Sequence, residues 1–175
     1  MSGRSAAFSR RGANAGQTAR CLDAGRAGPT AWLSAAARAV ASIAGQLVRP
    51  LNALSGGEWQ RVRLAAVMLQ VWPTLNTDAR LLLLDEPAAS LDIAQQVALD
   101  QLIALLTTAG LSVLMCAHDL NHTLAHADEV WLMVQGELVA AGAAAEVMTP
   151  KQLANVFGVA FSLVSAGDRR WLVAR

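Results

Sequence analysis

The chain has 175 residues, enough for one domain with a sizeable hydrophobic core. Hydrophobic residues make up 54% and charged residues only 15%, which excludes an intrinsically disordered protein. The formal net charge of +1 gives no overall attraction to nucleic acid, and no apolar run approaches the roughly 20 residues of a transmembrane helix.

The two cysteines, Cys21 and Cys116, lie far apart and lack CxxC spacing. A disulfide framework or a zinc site is therefore not expected, and reduced thiols point to a cytosolic setting. The N-terminus lacks the apolar core of a signal peptide. We expect any role at a membrane to depend on a partner that does the spanning.

Residues 1–30 differ in composition from the rest of the chain. They are rich in Gly, Ala, Ser and Arg, and they hold five arginines against one acid, Asp23. This composition predicts an irregular arm. An organelle transit peptide is the alternative that the composition leaves open.

From residue 31 onward, hydrophobic periodicity predicts helices that alternate with buried strands. The predicted helices cover residues 34–48, 57–71, 93–108, a short segment ending at His126, and 150–157. The predicted strands cover residues 80–85, 111–119, a hairpin over 129–142 with Gln135-Gly136 at its turn, and two short strands in the tail. Between Arg80 and Asp85 this segment is wholly apolar, which is typical of a strand buried on both faces. Alternating strands and helices predict a parallel α/β sheet.

Residues 54–69, LSGGEWQRVRLAAVML, place Ser55, Gly56 and Gly57 directly before a predicted helix. Glycines let the backbone approach a ligand closely, and the first helical turn offers N–H groups and the positive end of the helix dipole. Together with the Ser55 hydroxyl, these groups predict a binding site for a phosphate. The alternative is a plain helix start, with Ser55 as N-cap and Glu58 completing a capping box.

Residues 81–87, LLLLDEP, bring Asp85 and Glu86 to the carboxyl end of a strand, where open α/β sheets bind ligands. Asp85 is placed to hold Mg²⁺ through water, and Glu86 is placed to polarise an attacking water. The alternative is a strand end with solvated acids. A Ser-Leu-Asp segment that follows shortly afterwards favours the functional interpretation.

His118 ends the next predicted strand, where its imidazole could touch a γ-phosphate or the water that attacks it. His122 and His126 follow at helical spacing. A metal-binding stripe of three histidines is therefore the alternative, provided that the helix begins early enough to include His118.

The segments LSGGEWQR, LLLLDEP, SLD and AHD occur in the order and spacing of the ATP-binding cassette, the motor subunit of ABC transporters. They resemble its signature loop, Walker B strand, D-loop and switch histidine, and the resemblance covers about residues 35–165. Within the family, the ATP-binding subunits of vitamin B12 importers are most similar, and those of iron–siderophore importers are the nearest alternative. The resemblance implies a P-loop NTPase-like α/β fold of three layers with a mostly parallel sheet, incomplete at the N-terminus.

The resemblance also implies a role for each motif, with ATP as substrate and Mg²⁺ as cofactor. The implied residues are Glu86 and His118 for catalysis, Asp85 for Mg²⁺ through water, Ser55, Gly56, Gly57 and Glu58 for ATP bound in trans across a head-to-tail dimer, and Ser90, Leu91 and Asp92 for coupling within that dimer. The implied partners are membrane permease subunits, a second ATP-binding subunit and a periplasmic binding protein, without nucleic acid. Such a chain would lie at the cytoplasmic face of the inner membrane, as a peripheral subunit.

The family's phosphate-binding loop, G-x-x-x-x-G-K-[ST], does not occur in this sequence. Its lysine neutralises the β- and γ-phosphates, whereas the only lysine here is Lys151. Residues 12–18, GANAGQT, are one residue short and have Gln17 where lysine belongs, so a relic, a frameshifted start and coincidence all stay open. Gln17 and Gln46 are candidates for the family's glutamine loop by residue type alone.

We therefore expect an irregular arm over residues 1–30 and a partial ATP-binding cassette domain over 31–175. The domain is divided into a signature helix region, a core with the Walker B, D-loop and switch-histidine motifs, and a C-terminal hairpin and helix, over residues 31–72, 80–135 and 136–175. The expected function is to couple ATP hydrolysis to import, although the chain should be inactive alone without a phosphate-binding loop. A non-catalytic partner that donates its signature loop, and a truncated or misread gene product, are the alternatives.

Overall fold

The computed structural model describes residues 4–10, 49–89, 91–167 and 169–175. The predicted helix over residues 34–48, the remnant loop at 12–18, Gln46, Ser90 and the remainder of the predicted arm lie outside the described residues.

The two long helices begin at side-chain caps that the sequence supplies. Ser55 caps α1 (Gly56–Gln70) and Asp92 caps α2 (Ile93–Thr108), each by accepting a hydrogen bond from a backbone N–H three residues on. The other described helices are α3 (Leu120–His126), α4 (Ala144–Val147) and α5 (Pro150–Phe157), and a 3₁₀ turn spans Leu51–Ala53. Four of these helices confirm predictions from hydrophobic periodicity, whereas the short α4 was not predicted.

Seven strands lie in the described part of the chain: β1 (Arg4–Arg10), β2 (Leu81–Asp85), β3 (Ser112–Ala117), β4 (Glu129–Val134), β5 (Glu137–Ala143), β6 (Phe161–Ala166) and β7 (Arg169–Ala174). A five-stranded sheet has the order β2-β3-β1-β4-β5, and β6 and β7 form a separate hairpin. The Ser112 N–H donates to the Arg80 carbonyl at the start of β2 and β3, and the Glu86 N–H donates to the Cys116 carbonyl at their ends, so the two strands are parallel. The β4–β5 hairpin is antiparallel and turns at Gln135 and Gly136, as predicted, with φ of 52° and 84° at these residues.

Packing divides the described residues into two compact units. The first unit falls within Met1–Arg10, Leu83–Glu86 and Leu114–Arg175, and its most buried side chains are Val130, Leu132, Met148 and Leu153. The second unit falls within Arg11–Leu82 and Pro87–Val113, and its most buried side chains are Met68, Ile103, Leu106 and Val113. Full burial of each such side chain stabilises its unit by about 1.5–3 kcal/mol.

The expectation of an irregular arm is wrong for residues 4–10, which form β1. The strand pairs antiparallel with β4 in a continuous register from Arg4 opposite Val134 to Ser9 opposite Glu129. The sequence RSAAFSR has little hydrophobic patterning, so it gives no strand signal of its own. Its conformation depends on backbone pairing with a strand more than 100 residues away, which local periodicity does not detect.

The expectation that β2 is buried on both faces is also wrong. Leu82 and Leu84 are buried, whereas Leu81 and Leu83 are 54% and 62% exposed. Successive side chains of a strand point to opposite faces, so the second pair lies on a face that is open in this structure. Apolar composition therefore indicates that β2 is a strand, but it does not show what covers each face.

No helix among the described residues is long and apolar enough to cross a bilayer.

Asn121 joins α3 to the C-terminal hairpin. Its side-chain Nδ2 donates to the Leu172 carbonyl over 3.1 Å, and its Oδ1 accepts from the Leu172 N–H over 2.7 Å. In an antiparallel pair, the N–H and C=O of one residue point to the same side of the strand. Because both groups of Leu172 face Asn121, the side-chain amide forms the two hydrogen bonds that a neighbouring strand would form at this edge of β7.

We expect Asn121→Ala to destabilise the hairpin by about 1–3 kcal/mol, because it removes two hydrogen bonds and leaves part-buried backbone groups without their partners. Hydrogen exchange at the Leu172 amide, together with urea unfolding, measures the effect. Asn155→Ala, at an exposed helical position of the same unit, is the matched control and should leave the Leu172 exchange rate unchanged. Equal exchange at Leu172 in the wild type and in Asn121→Ala would contradict the assignment.

Candidate active site

The start of α1 has a complete capping box and a glycine that no neighbouring group crowds. Ser55 Oγ accepts from the Glu58 N–H over 3.3 Å, and the Ser55 N–H donates to Glu58 Oε2 over 2.8 Å. A Cβ added to Gly56 would meet no atom within 4 Å, so the chain's own packing does not require glycine there. The N–H groups in the first turn of this 15-residue helix are of the kind that binds an anion.

Glu58 serves first as a structural residue at this helix start. Its Oε2 closes the capping box, and its Oε1 forms an ion pair with Arg49 Nη1 at 2.8 Å. Arg49 also donates to the Ala53 carbonyl, so it holds the segment before the helix. Sequence reasoning did not identify Arg49, because it lies nine residues from Glu58 and no local pattern links the two. A direct contact of Glu58 with phosphate stays a prediction.

Asp92 is likewise a helix cap. Its Oδ1 accepts from the Gln95 N–H over 2.9 Å, while the Gln95 side chain accepts from the Asp92 N–H over 3.2 Å. Leu91 is buried, and its N–H donates to the Ala88 carbonyl. These contacts explain the local conformation of the segment, and its role in coupling across a dimer stays a prediction.

The ends of β2 and β3 bring Glu86 and His118 together in the first unit. Their Oε1 and Nδ1 atoms are 3.7 Å apart, and the two side chains are 52% and 70% exposed. This distance is too long for a direct hydrogen bond, but it suits two polar groups that contact the same small ligand or water. The pair therefore combines a carboxylate and an imidazole at a solvent-accessible strand end.

The backbone at Glu86 is strained. Its φ of 42° lies in the left-handed region, which non-glycine residues rarely adopt. Such a conformation costs about 1–3 kcal/mol, and it occurs preferentially at functional sites. The turn leaves Asp85 as the last residue of β2 and Glu86 as the first residue beyond it, and both are exposed.

Cys116, on β3, belongs to the same cluster, although sequence reasoning assigned it no role. Burial, the negative charges of Asp85 and Glu86, and a hydrogen bond from the thiol to Asp85 together raise the pKa of Cys116. Asp85 thus has a neutral hydrogen-bond donor beside it. Cys116 lies more than 30 residues from Asp85 in the sequence, so no local pattern links the two. Their proximity could be predicted only from the pairing of β2 with β3.

The three histidines do not form one helical stripe. The helix α3 begins at Leu120, and Asp119 caps it by accepting from the Asn121 and His122 N–H groups over 2.9 Å each. His118 therefore precedes the helix, whereas His122 and His126 lie on it. Of the predicted site residues, Asp85, Glu86 and His118 belong to the first unit, and Ser55, Gly56, Gly57, Glu58, Leu91 and Asp92 belong to the second.

We expect alkylation of Cys116 by iodoacetamide to have a pH midpoint above that of an ordinary thiol, because burial and the neighbouring carboxylates disfavour the thiolate. Asp85→Asn should lower the midpoint only in part, since burial is the larger cause.

The raised pKa of Cys116 also determines how the free energy of unfolding changes with pH. As pH rises past the ordinary thiol value, the unfolded chain releases its proton first, so the folded state loses stability.

Peptide mass spectrometry in a Cys21→Ser background measures the rate at Cys116 alone. Asp78→Asn, at an exposed acid of the second unit, is the control and should leave the midpoint unchanged. A Cys116 midpoint equal to that of a free thiol would contradict the structure.

Comparison with known proteins supports the resemblance that the motifs suggested. Over 130 residues, 74% of this chain, it is 58% identical to the vitamin B12 import ATP-binding protein BtuD of Pectobacterium atrosepticum and 52% identical to that of Yersinia pestis. It is 50% identical over 129 residues to the protein of the same name from Escherichia coli. The chain spans about half the length of these curated relatives, 52%, 51% and 52% respectively. No family model matches it.

Solved structures agree on the fold. A metal-chelate type ABC transporter in an inward-facing conformation matches with a TM-score of 0.60 and 21% identity, covering 81% of this chain and 57% of that one. An ATP-binding cassette of another ABC transporter matches with a TM-score of 0.51 and 18% identity, covering 71% and 49%. The α/β fold of ATP-binding cassettes, predicted from the motifs, is thereby confirmed.

Proposed function

We propose that this chain, which is related to the ATP-binding cassette proteins and has their fold, acts as the energy-coupling subunit of an ABC importer that hydrolyses ATP to drive transport. We further propose vitamin B12 as the cargo, because the relatives at 50–58% identity carry that name. The metal-chelate type transporter is similar at 21% identity, which concerns the fold alone. An iron–siderophore cargo therefore has no observation in its favour.

The observation that carries the proposal is the pairing of Glu86 with His118 at the ends of two parallel strands. Ligands of open α/β sheets bind beyond the carboxyl ends of such strands. On this proposal, Glu86 orients the attacking water as its general base, and His118 contacts the γ-phosphate. Phosphoryl transfer depends mainly on positioning of the reactants and on stabilisation of charge. Glu86 and His118, with side-chain atoms 3.7 Å apart, would contribute to the positioning.

The residues at this strand end fit a magnesium ion. Mg²⁺ prefers oxygen ligands and keeps several of its waters, and Asp85 presents an exposed carboxylate directly before Glu86. When bound, the ion would neutralise charge on the phosphates. Asp85 would hold it through water, and the Cys116 thiol, as the neutral donor beside Asp85, would help to fix the orientation of that carboxylate.

The proposed partners follow from the type of importer. They are permease subunits within the membrane, a second ATP-binding subunit and a periplasmic binding protein. The chain would then act at the cytoplasmic face of the membrane as a peripheral subunit. Ser55, Gly56 and Gly57 would contact the ATP of the second subunit, and Ser90, Leu91 and Asp92 would couple the two sites.

A second candidate function is that the chain donates its signature loop without catalysis. Its 175 residues hold one lysine, Lys151, and no G-x-x-x-x-G-K-[ST] loop, whereas the capped start of α1 is complete. Such a chain would cap an ATP molecule that another cassette subunit grips. Its own Glu86 and His118 would then have no nucleotide to act on.

We expect the purified chain alone to release no phosphate from Mg-ATP above background, because the lysine that neutralises the β- and γ-phosphates is missing. Steady-state phosphate release at millimolar ATP measures this. Glu86→Gln is the control, because it removes the proposed base while keeping the shape of the side chain. Turnover that Glu86→Gln abolishes would show that the chain carries a complete site of its own.

A mixing experiment separates the two candidate functions. The chain is combined with a second cassette subunit that has an intact phosphate-binding loop and a disabled signature loop. If the chain donates its signature loop, ATP should induce a heterodimer whose hydrolysis is lost in Ser55→Arg and unaffected by Glu86→Gln. Size-exclusion chromatography and phosphate release provide the measurements. Ser165→Arg, at an exposed position of β6, is the matched control and should behave as the wild type. Absence of an ATP-dependent heterodimer would remove the donor function.

A further inference from the structure

We propose that His122 and His126 form a binding site for a divalent transition-metal ion of the zinc, nickel and copper class. The site would lie on α3 and is independent of the proposed function, because neither side chain is assigned a role in ATP binding or hydrolysis. The inference rests on their spacing, on the closeness of the two rings and on the contacts that fix the helix.

The two imidazoles face each other across one turn of α3. Residues four apart lie on the same face of a helix. The ring centroids are 4.6 Å apart, and the ring planes are inclined by 32°. The ligand nitrogens that the two rings offer lie within 4.8 Å of each other. Two metal–nitrogen bonds of about 2.1 Å each can join nitrogens up to about 4 Å apart, so a small rotation of the side chains brings both into range.

The backbone that carries the two histidines is fixed by contacts on other faces of the helix. The Asp119 carboxylate accepts from the His122 N–H, and the Thr123 hydroxyl, fully buried, donates to the Asp119 carbonyl over 2.8 Å. Asn121 ties the first turn to Leu172 of β7. A helix held in this way presents its two imidazoles with little loss of backbone freedom when an ion binds, which favours affinity.

Position along the helix also favours a cation. His126 is the last residue of α3, where the carbonyl groups of the final turn carry partial negative charge. Both histidines are half-buried, so part of each side chain is accessible to solvent. Paired histidines at i and i+4 on a helix are also the arrangement that holds zinc in helical H-x-x-x-H motifs.

The chemistry of the ligands defines which ions would bind. Neutral imidazole nitrogen suits Zn²⁺, Ni²⁺ and Cu²⁺, whereas Mg²⁺ and Ca²⁺ prefer oxygen. Affinity should rise from Ni²⁺ to Cu²⁺, and Zn²⁺ should bind less tightly than Cu²⁺. The two imidazoles would supply two of the ligands of the bound ion.

The test uses the full chain without a polyhistidine tag, titrated with Zn²⁺ by isothermal calorimetry. We expect one equivalent to bind, with affinity reduced by about tenfold or more in His122→Gln and in His126→Gln. Asn155→Ala, at an exposed helical position of the same unit, is the matched control and should leave the zinc affinity unchanged. An excess of Mg²⁺ should leave the zinc affinity unchanged, because Mg²⁺ prefers oxygen ligands to imidazole nitrogen.

A second measurement keeps the inference testable if a variant folds poorly. The chain has three histidines, so an imidazole ¹⁵N–¹H correlation spectrum of the wild type resolves each one. Zn²⁺ should shift the ring nitrogens of His122 and His126 together, at one equivalent, and leave those of His118 in place. Absence of saturable binding, equal affinity in the two paired variants and the wild type, or shifts at His118 alone would each overturn the proposal and leave the two rings as a stacked structural pair.

Discussion

The hydrogen bond from the Glu86 N–H to the Cys116 carbonyl, 3.2 Å long, ties the chain beyond β2 to the end of β3. At Glu86 the backbone enters the left-handed region, and β2 ends at the preceding residue, Asp85. Together with the hydrogen bond from Ser112 to Arg80 at the other ends of the strands, the bond from the Glu86 N–H places the Glu86 carboxylate near His118, which follows β3 directly. Two exposed side chains more than 30 residues apart in the sequence are thereby brought together.

The same few polar residues serve local structure and, on our proposal, recognition of a nucleotide. Ser55 and Asp92 each begin a helix through a reciprocal capping box. Loss of such a cap costs about 0.5–2 kcal/mol, so these side chains contribute to the fold whatever else they do. The alternative interpretation of the Ser55 motif as a plain helix start is therefore correct as a description of structure. It does not exclude a second role, because a capped helix start still presents its dipole and its remaining N–H groups.

Local signals in the sequence predicted most of the elements correctly. The predicted bounds of α1, α2 and α5 agree with the structure to within one residue, and the hairpin turn was predicted at Gln135-Gly136, where the glycine tolerates positive φ. What the sequence missed depends on contacts between distant segments. Strand β1 needs β4, the proximity of Cys116 to Asp85 needs the strand pairing, and the exposure of Leu81 and Leu83 depends on what packs against that face.

The cap at Ser55 has a consequence for any ligand that arrives at α1. The hydroxyl already accepts from the Glu58 N–H, and the bond is long at 3.3 Å, so the helix start is occupied by a weak internal competitor. An anion that takes over this N–H must displace the hydroxyl and tolerate the carboxylate of Glu58, whose charge Arg49 offsets. Singly charged ions in ordinary buffer would gain little from that exchange, whereas a multiply charged phosphate chain would gain most. On the proposed function, the self-capped helix start would therefore have to open before it binds a phosphate chain.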